Sequence, residues 1–330
     1  MTRNPKSYGA KGDNIADDTV AIQKTFDAAK DGDAVTFPAN TFRTTRTVTI
    51  PDKAIDIASV PSAAIRFHPA AGQTICLSVA QSNRPAFRRD WRLPNLIGPT
   101  VNKDTLAVGT MIGLRMYGVY YGCLRGMIVN GFDGAGVEVD HCHYWRIEDL
   151  YLRNNGIGLR CNVANAVTFI NLKAQYNLYG VENAKNLIGG AIEGNFRSGA
   201  RYTEVGHSYA IRDVWFEANG SYSAVAGESD IWCNSLPDWT ADAGKTWKPV
   251  ILSIDGSTVF MGHGNKTVAT HNIAGCMNLS IGGAVRFYES QWPNFRFHPW
   301  CKIADSMPVP MDENPQAFDA GVPANYRRSK

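Results

Sequence analysis

The sequence predicts an all-β chain wound as a single-stranded parallel β-helix, a solenoid, with one short helix laid against its first strand. Three observations carry this. The N-terminal segment has an ordered turn, helix and strand. A glycine-led repeat returns every 22 or 23 residues. Each repeat holds a second strand-like run in which alternate residues are apolar or small.

Ser7-Tyr8-Gly9-Ala10-Lys11-Gly12-Asp13 reads as a glycine-rich turn, and Asp17-Asp18-Thr19 as a helix start. Val20, Ile22, Phe26 and Ala29 then fall on one side of a short amphipathic helix that Gly32 ends. Val35-Thr36-Phe37-Pro38 follows as a strand closed by a Phe-Pro turn. Asp17 and Asp18 are expected as helix caps and not as catalysts, because the first turn needs acceptors for its N–H groups.

Gly113-Leu114, Gly136-Val137, Gly158-Leu159 and Gly180-Val181 recur at spacings of 23, 22 and 22 residues, one coil per repeat. The second runs align as Met127-Ile128-Val129-Asn130, Leu150-Tyr151-Leu152-Arg153, Leu172-Lys173-Ala174-Gln175, Ile192-Glu193-Gly194-Asn195 and Val214-Trp215-Phe216-Glu217. Side chains alternate across a strand, so the first and third members of each run face a stacked core. The second and fourth form an outward strip: Ile128/Asn130, Tyr151/Arg153, Lys173/Gln175, Glu193/Asn195 and Trp215/Glu217. Aromatic planes accept the apolar face of a pyranose while amides and charges reach its hydroxyls, so the strip suits a sugar polymer. An ordinary solvated sheet face is the competing reading. Trp215, outward among polar neighbours, favours the sugar.

Within the strip, Glu193 and Glu217 lie on adjacent coils, offset by two residues in this alignment. With about 4.8 Å between strands and about 6.7 Å for two residues of rise, their Cβ atoms are expected roughly 8 Å apart. That falls in the window of about 6.5 to 9.5 Å between the acid and the base of an inverting glycosidase. Glu193 is read as the acid and Glu217 as the base, in reversible order, with Trp215 beside Glu193 across the ladder. Asp213, outward by the same parity and in the same register as Asp149, is a third catalytic candidate. Trp215, Tyr151, Arg153, Lys173, Gln175, Asn195 and His207 are the substrate-binding candidates. Asn195 and Asn219 also suit coil corners, where asparagine tolerates a left-handed backbone.

The N-terminal pattern, carried by roughly the first 45 residues, resembles the pectate-lyase-like superfamily. The segments Ile192-Glu193-Gly194-Asn195 and Ile211-Arg212-Asp213-Val214-Trp215-Phe216-Glu217-Ala218-Asn219 look like coils of its bacteriophage tailspike type. The resemblance implies a right-handed β-helix whose open end the N-terminal helix plugs, and carboxylates on adjacent coils that hydrolyse a polysaccharide. The superfamily also holds lyases, epimerases and non-catalytic spikes. The first reading is therefore a tailspike-like depolymerase hydrolysing a bacterial capsule or O-antigen. The second is β-elimination on a uronic-acid polymer, recruiting Lys173, Arg153 and Tyr151. The third, from another class, is a structural or sugar-binding virion part or adhesin. A homotrimer, and a virion tail released by lysis, also come from the resemblance; a secreted or cytoplasmic bacterial protein is the alternative.

Composition excludes several other classes. A chain of 330 residues with 44% hydrophobic content can bury a large core as one domain. Its net charge of +3 does not nominate nucleic acid as a partner. Arg88, Arg89 and Arg92 around Phe87 and Trp91 are read as a surface loop. Met1-Thr2-Arg3-Asn4-Pro5 has no apolar core of a secretory signal, and no apolar run is long enough for a membrane span, so soluble production is expected. Seven cysteines without a CxxC pair argue against a disulfide framework and a zinc ribbon. His141 and His143 share a strand face but lack a third ligand, and no aspartate cluster suggests calcium, so neither metal nor cofactor is expected. Residues 1–45 are read as the cap, 46–306 as the body with excursions near 81–108 and 234–249, and 307–330 as a tail or linker.

Overall fold

The computed structural model describes residues 1–79, 89–99, 108–204, 207–220, 229–233, 250–261, 271–275, 277–288, 295–297 and 302–303. The 234–249 excursion, the 307–330 tail, Arg88, Cys276 and Cys301 lie outside them. The chain divides into two compact units, Met1–Lys173 and Ala174–Lys330. Both are built of parallel strands stacked coil on coil, and the fold is a parallel β-helix.

In the first unit the helix spans Thr19–Ala28 and buries Ala21, Ile22, Thr25 and Phe26, with the Phe26 ring 6.1 Å from that of Phe37. Val20, expected on the buried side, is 49% exposed. The helix stops at Ala28, before Gly32, because Ala29 turns extended and is itself buried. Gln23 explains how the helix closes the stack. Its side chain donates to Thr49 O (3.0 Å) and accepts from Thr49 N (2.8 Å), completing the bonds of Val48–Ile50, the terminal strand of its sheet. An open strand edge is thereby blunted.

The acids before the helix are structural, as expected, but they divide the work differently. Asp17 accepts from the Thr19 N–H (3.0 Å) and from the hydroxyls of Thr19 and Thr45. Asp18 is buried and turns back to the Lys11 and Gly12 N–H groups at 2.6 and 3.0 Å.

Each coil of the first unit contributes to two sheets. In one, Ile112–Tyr117, Ala135–Asp140 and Ile157–Asn162 pair in parallel with Leu114, Val137 and Leu159 in register, as the glycine repeat requires. The glycines are there because the next coil comes so close: a Cβ on Gly113 would sit 2.5 Å from Gly136 O, and one on Gly136 2.8 Å from Gly158 O. Outward on the same sheet, Glu138 is buried between Arg115 (3.1 Å) and Arg160 (3.5 Å), an ion ladder that neutralises its charge.

In the other sheet, Tyr120–Asn130 and His143–Arg153 are long strands bent at Gly126 and Asp149, both left-handed at φ +60 and +53. Met127, Val129, Leu150 and Leu152 point inward and are buried, as expected. Residues 89–97 do not belong to an excursion. Arg89–Trp91 and Asn95–Ile97 are ladder strands beside Tyr120–Asn130, and Trp91 is buried, its Nε1 donating to Ile55 O at 2.9 Å. The indole lies 5.3 Å from that of Trp145.

In the second unit, one sheet holds Tyr179–Glu182, Ala200–Tyr202, Ser229–Cys233 and His271–Gly275. The other holds Asn186–Glu193, followed by a first lane through Ser208–Arg212 and Val250–Asp255 and a second through Trp215–Glu217 and Val259–Met261. Between the lanes lie left-handed Gly189, Asp213 and Gly256. Cys76, Cys123, Cys142, Cys161 and Cys233 are buried free thiols. Burial pushes Cys142 up to about 11, which suits packing and not ligation.

Candidate active site

The carboxylates come together in the second unit at the ends of two paired strands. Register sets Ala191 beside Trp215, Ile192 beside Phe216 and Glu193 beside Glu217. Ile192 and Phe216 are buried, Phe216 stacking on Phe260 at 5.0 Å. Alternation therefore turns Glu193 and Glu217 outward, where both are half-buried.

The two-residue offset read from the sequence is absent. The step from Ile192 leads to Phe216 and not to Val214, so the two acids are direct neighbours on adjacent rungs. At strand spacing their backbones are about 4.8 Å apart instead of their Cβ atoms being roughly 8 Å apart. Trp215 moves correspondingly. It lies on the same strand as Glu217 and donates from Nε1 to Glu217 Oε2 at 2.8 Å. The indole thus fixes the Glu217 carboxylate and presents an aromatic face beside it. Val259 and Met261, half-buried on the following rung, continue an apolar lane past Trp215 and Glu217.

Immediately after each acid the chain turns a left-handed corner, at Gly194 (φ +61) and Ala218 (φ +56). The corner reverses the parity of the next residue, so Asn195 and Asn219 go inward. Asn195 is fully buried and does not offer its amide to a substrate. Its Oδ1 accepts from Asn177 N and Nδ2 (both 3.1 Å), and its Nδ2 donates to Ala174 O (2.9 Å) and Asn219 Oδ1 (2.7 Å). This is the corner ladder the sequence suggested as the alternative for Asn195 and Asn219, and it anchors the strand ends that carry the acids.

Sequence reasoning missed Tyr176. It takes the same left-handed corner (φ +54), is 44% exposed, and lays its ring over Gly194, where an added Cβ would meet it at 3.0 Å. An aromatic surface therefore lies next to Glu193. The available signal was its corner position, one residue before Asn177.

Other candidates lie elsewhere. Asp213 is exposed, but it is a left-handed bend residue whose Oδ1 accepts from Ser257 N at 2.7 Å, so its carboxylate supports a turn. His207 precedes Ala210, which pairs with Asn186 at the start of the strand that ends in Glu193. It is therefore at the other end of the ladder from the acids, 3.9 Å from Glu204. Gln175 is the exception: half-buried and one residue before Tyr176, it stands on the rung next to Glu193. In the first unit, Tyr151 is half-buried with the exposed Arg153 guanidinium 5.7 Å from its ring, and Lys173 is exposed. Asp149 accepts from Asn171 Nδ2 (2.7 Å) at the bend. Among the described residues no three His, Cys, Asp or Glu side chains gather as a metal site. No described helix is long and apolar enough to cross a membrane.

No family model and no curated protein matches the chain. Solved structures match its fold. Tailspike protein 2 of bacteriophage CBA120, in its enzymatically active domain, aligns over 92% of this chain and 47% of its own length, at 15% identity and a TM-score of 0.60. The A-module of mannuronan C-5 epimerase AlgE4 from Azotobacter vinelandii aligns over 95% of this chain and all of its own, at 16% identity and 0.55. The surface adhesin PfbA of Streptococcus pneumoniae aligns over 92% and 90%, at 12% identity and 0.56. The chain thus spans about half of the tailspike domain and nearly all of the other two. A bacteriophage tailspike domain, an epimerase module and a surface adhesin share the fold, so the fold alone does not select among their activities.

Proposed function

We propose that this chain, on the β-helix it shares with those proteins, hydrolyses glycosidic bonds of a bacterial surface polysaccharide at Glu193 and Glu217. The observation that carries the reading is the direct pairing of the two outward acids, one of them held by the Trp215 indole N–H, beside the rings of Tyr176 and Trp215. Aromatic faces position pyranose rings, and paired carboxyls are the groups glycosidic cleavage needs.

Rungs about 4.8 Å apart lie nearer the carboxyl spacing of retaining enzymes, about 5 to 5.5 Å, than the wider inverting spacing. Glu193 donates its proton to the leaving glycosidic oxygen while Glu217 attacks the anomeric carbon. Glu193, now ionised, takes a proton from water, and that water displaces Glu217 from the sugar. A tailspike setting, with a homotrimer in a virion tail and residues 1–45 capping a 46–306 body, is part of the same proposal and rests on the fold match to the tailspike.

The test is mass and NMR analysis of products from a panel of capsule and O-antigen polysaccharides. Addition of water at the cut, with retained anomeric configuration, is expected. Glu193→Gln and Glu217→Gln should each lower kcat by about 10²-fold or more while the melting temperature stays put. An unsaturated end group would mean elimination. No cleavage of any glycan, or cleavage indifferent to both substitutions, would remove the site.

A further inference from the structure

A second aromatic surface lies in the first unit, at a coil corner that the catalytic reading does not use. Tyr121 and Tyr144 occupy equivalent positions on neighbouring coils, with rings stacked 4.8 Å apart at 8°. They are 36% and 55% exposed. Beside them Tyr120 and His143 stack at 4.8 Å and 16°, and Tyr117 lies 5.5 Å from His141. Both exposed tyrosines are left-handed, at φ +56 and +61, where bulky side chains are rare. Gly, Asn or Asp would hold that backbone with less strain, and strained backbone positions cluster at ligand-contacting sites.

The next coil breaks the pattern. Asn165 pairs with His143, which puts Ala166, also left-handed at φ +52, level with Tyr144. The column therefore runs Tyr, Tyr, Ala. One face of the Tyr144 ring meets Tyr121, and the other looks over a methyl group where a third ring would stand. One coil spacing, about 4.8 Å, is the room a flat ring needs to stack. Exposed Asn165, beside Ala166, and the half-buried imidazole of His143 border this step with groups that bond hydroxyls.

We infer that the Tyr144 face above Ala166 is a carbohydrate-binding subsite that takes one pyranose ring of a glycan, completing the aromatic stack. A pyranose offers an apolar C–H face to the tyrosine and equatorial hydroxyls to the polar border, which fits the mixed character of the step better than a wholly apolar partner would. The site holds sugar independently of Glu193 and Glu217.

Isothermal titration of the full chain with hexamers of glucose (α- and β-linked), mannose and galacturonic acid tests this, with melting temperatures measured in parallel. At least one hexamer is expected to bind. Tyr144→Asn, which suits the left-handed backbone, should weaken it about tenfold or more and leave the melting temperature unchanged or higher. Ala166→Trp should remove the same binding step by filling the corner, whereas Trp215→Ala should leave that step in place. Failure of every hexamer to bind overturns the inference, as does binding lost in Trp215→Ala but kept in Tyr144→Asn. A lower melting temperature in Tyr144→Asn would make the corner a packing device. A dimer in sedimentation that Tyr144→Asn dissolves would make a second copy the occupant.

Discussion

Gly194 has no side chain because the ring of Tyr176 fills the space a Cβ would need, and because its backbone is left-handed. The two reasons separate experimentally. Gly194→Ala should lower stability by about 1–2 kcal/mol in thermal unfolding, and adding Tyr176→Ala should restore only the steric part, leaving the backbone part in place. If the double variant recovers everything, the left-handed corner carries no strain. The same corner explains why Asn195 was readable only in part. Strict alternation assigns it to the outward strip, but one left-handed residue inverts the parity, and nothing in the hydrophobic pattern marks that residue except its neighbour's suitability for a corner. Tyr176 is harder still to find: a tyrosine at a left-handed position contradicts propensity, and only its place one residue before the corner asparagine Asn177 marks it.

At the level of elements, the in-register core column was legible because stacked coils demand apolar or small residues at Met127/Val129, Leu150/Leu152 and Leu172/Ala174. The step to Val214 failed because a slip of two residues leaves every side chain on its own face, so alternation cannot detect it. In the observed register Ile192 pairs with Phe216 and the left-handed Gly189 and Asp213 stand level with each other. The helix gives a pH prediction. Partial burial pushes the Asp17 carboxyl up, but hydrogen bonds from Thr19 and Thr45 outweigh it and hold its pKa below the ordinary value. A depressed carboxylate stabilises the fold above its unfolded pKa, about 3.9, and that contribution is lost as pH falls through the folded value. Wild type should therefore lose more melting temperature than Asp17→Asn between about pH 5 and pH 3. Equal losses would show that Asp17 does not hold the helix start.

For the molecule as a whole, the solenoid was legible because its repeat is enforced by close approach: Gly113 and Gly136 each face a carbonyl of the next coil with no room for a Cβ. The ion ladder Arg115–Glu138–Arg160 was not, since three charges 22 or 23 residues apart look like ordinary surface until the register is known. The asparagine ladder has a consequence for how the protein ages. Asn219-Gly220 is a dipeptide prone to spontaneous deamidation, in which the glycine nitrogen attacks the asparagine side-chain carbonyl. Here Gly220 N is bonded to Asn195 O at 2.9 Å, and the Asn219 amide is buried, donating to Ile192 O and Asp230 Oδ1 while accepting from Asn195. The attack is barred until the corner opens, and native protein stored warm should keep Asn219 intact by peptide mass spectrometry while denatured protein converts it to Asp. Conversion at equal rates in both would mean the ladder opens freely. Residue 219 thus works as a chemical clock that runs only when the coil beneath Glu217 comes apart.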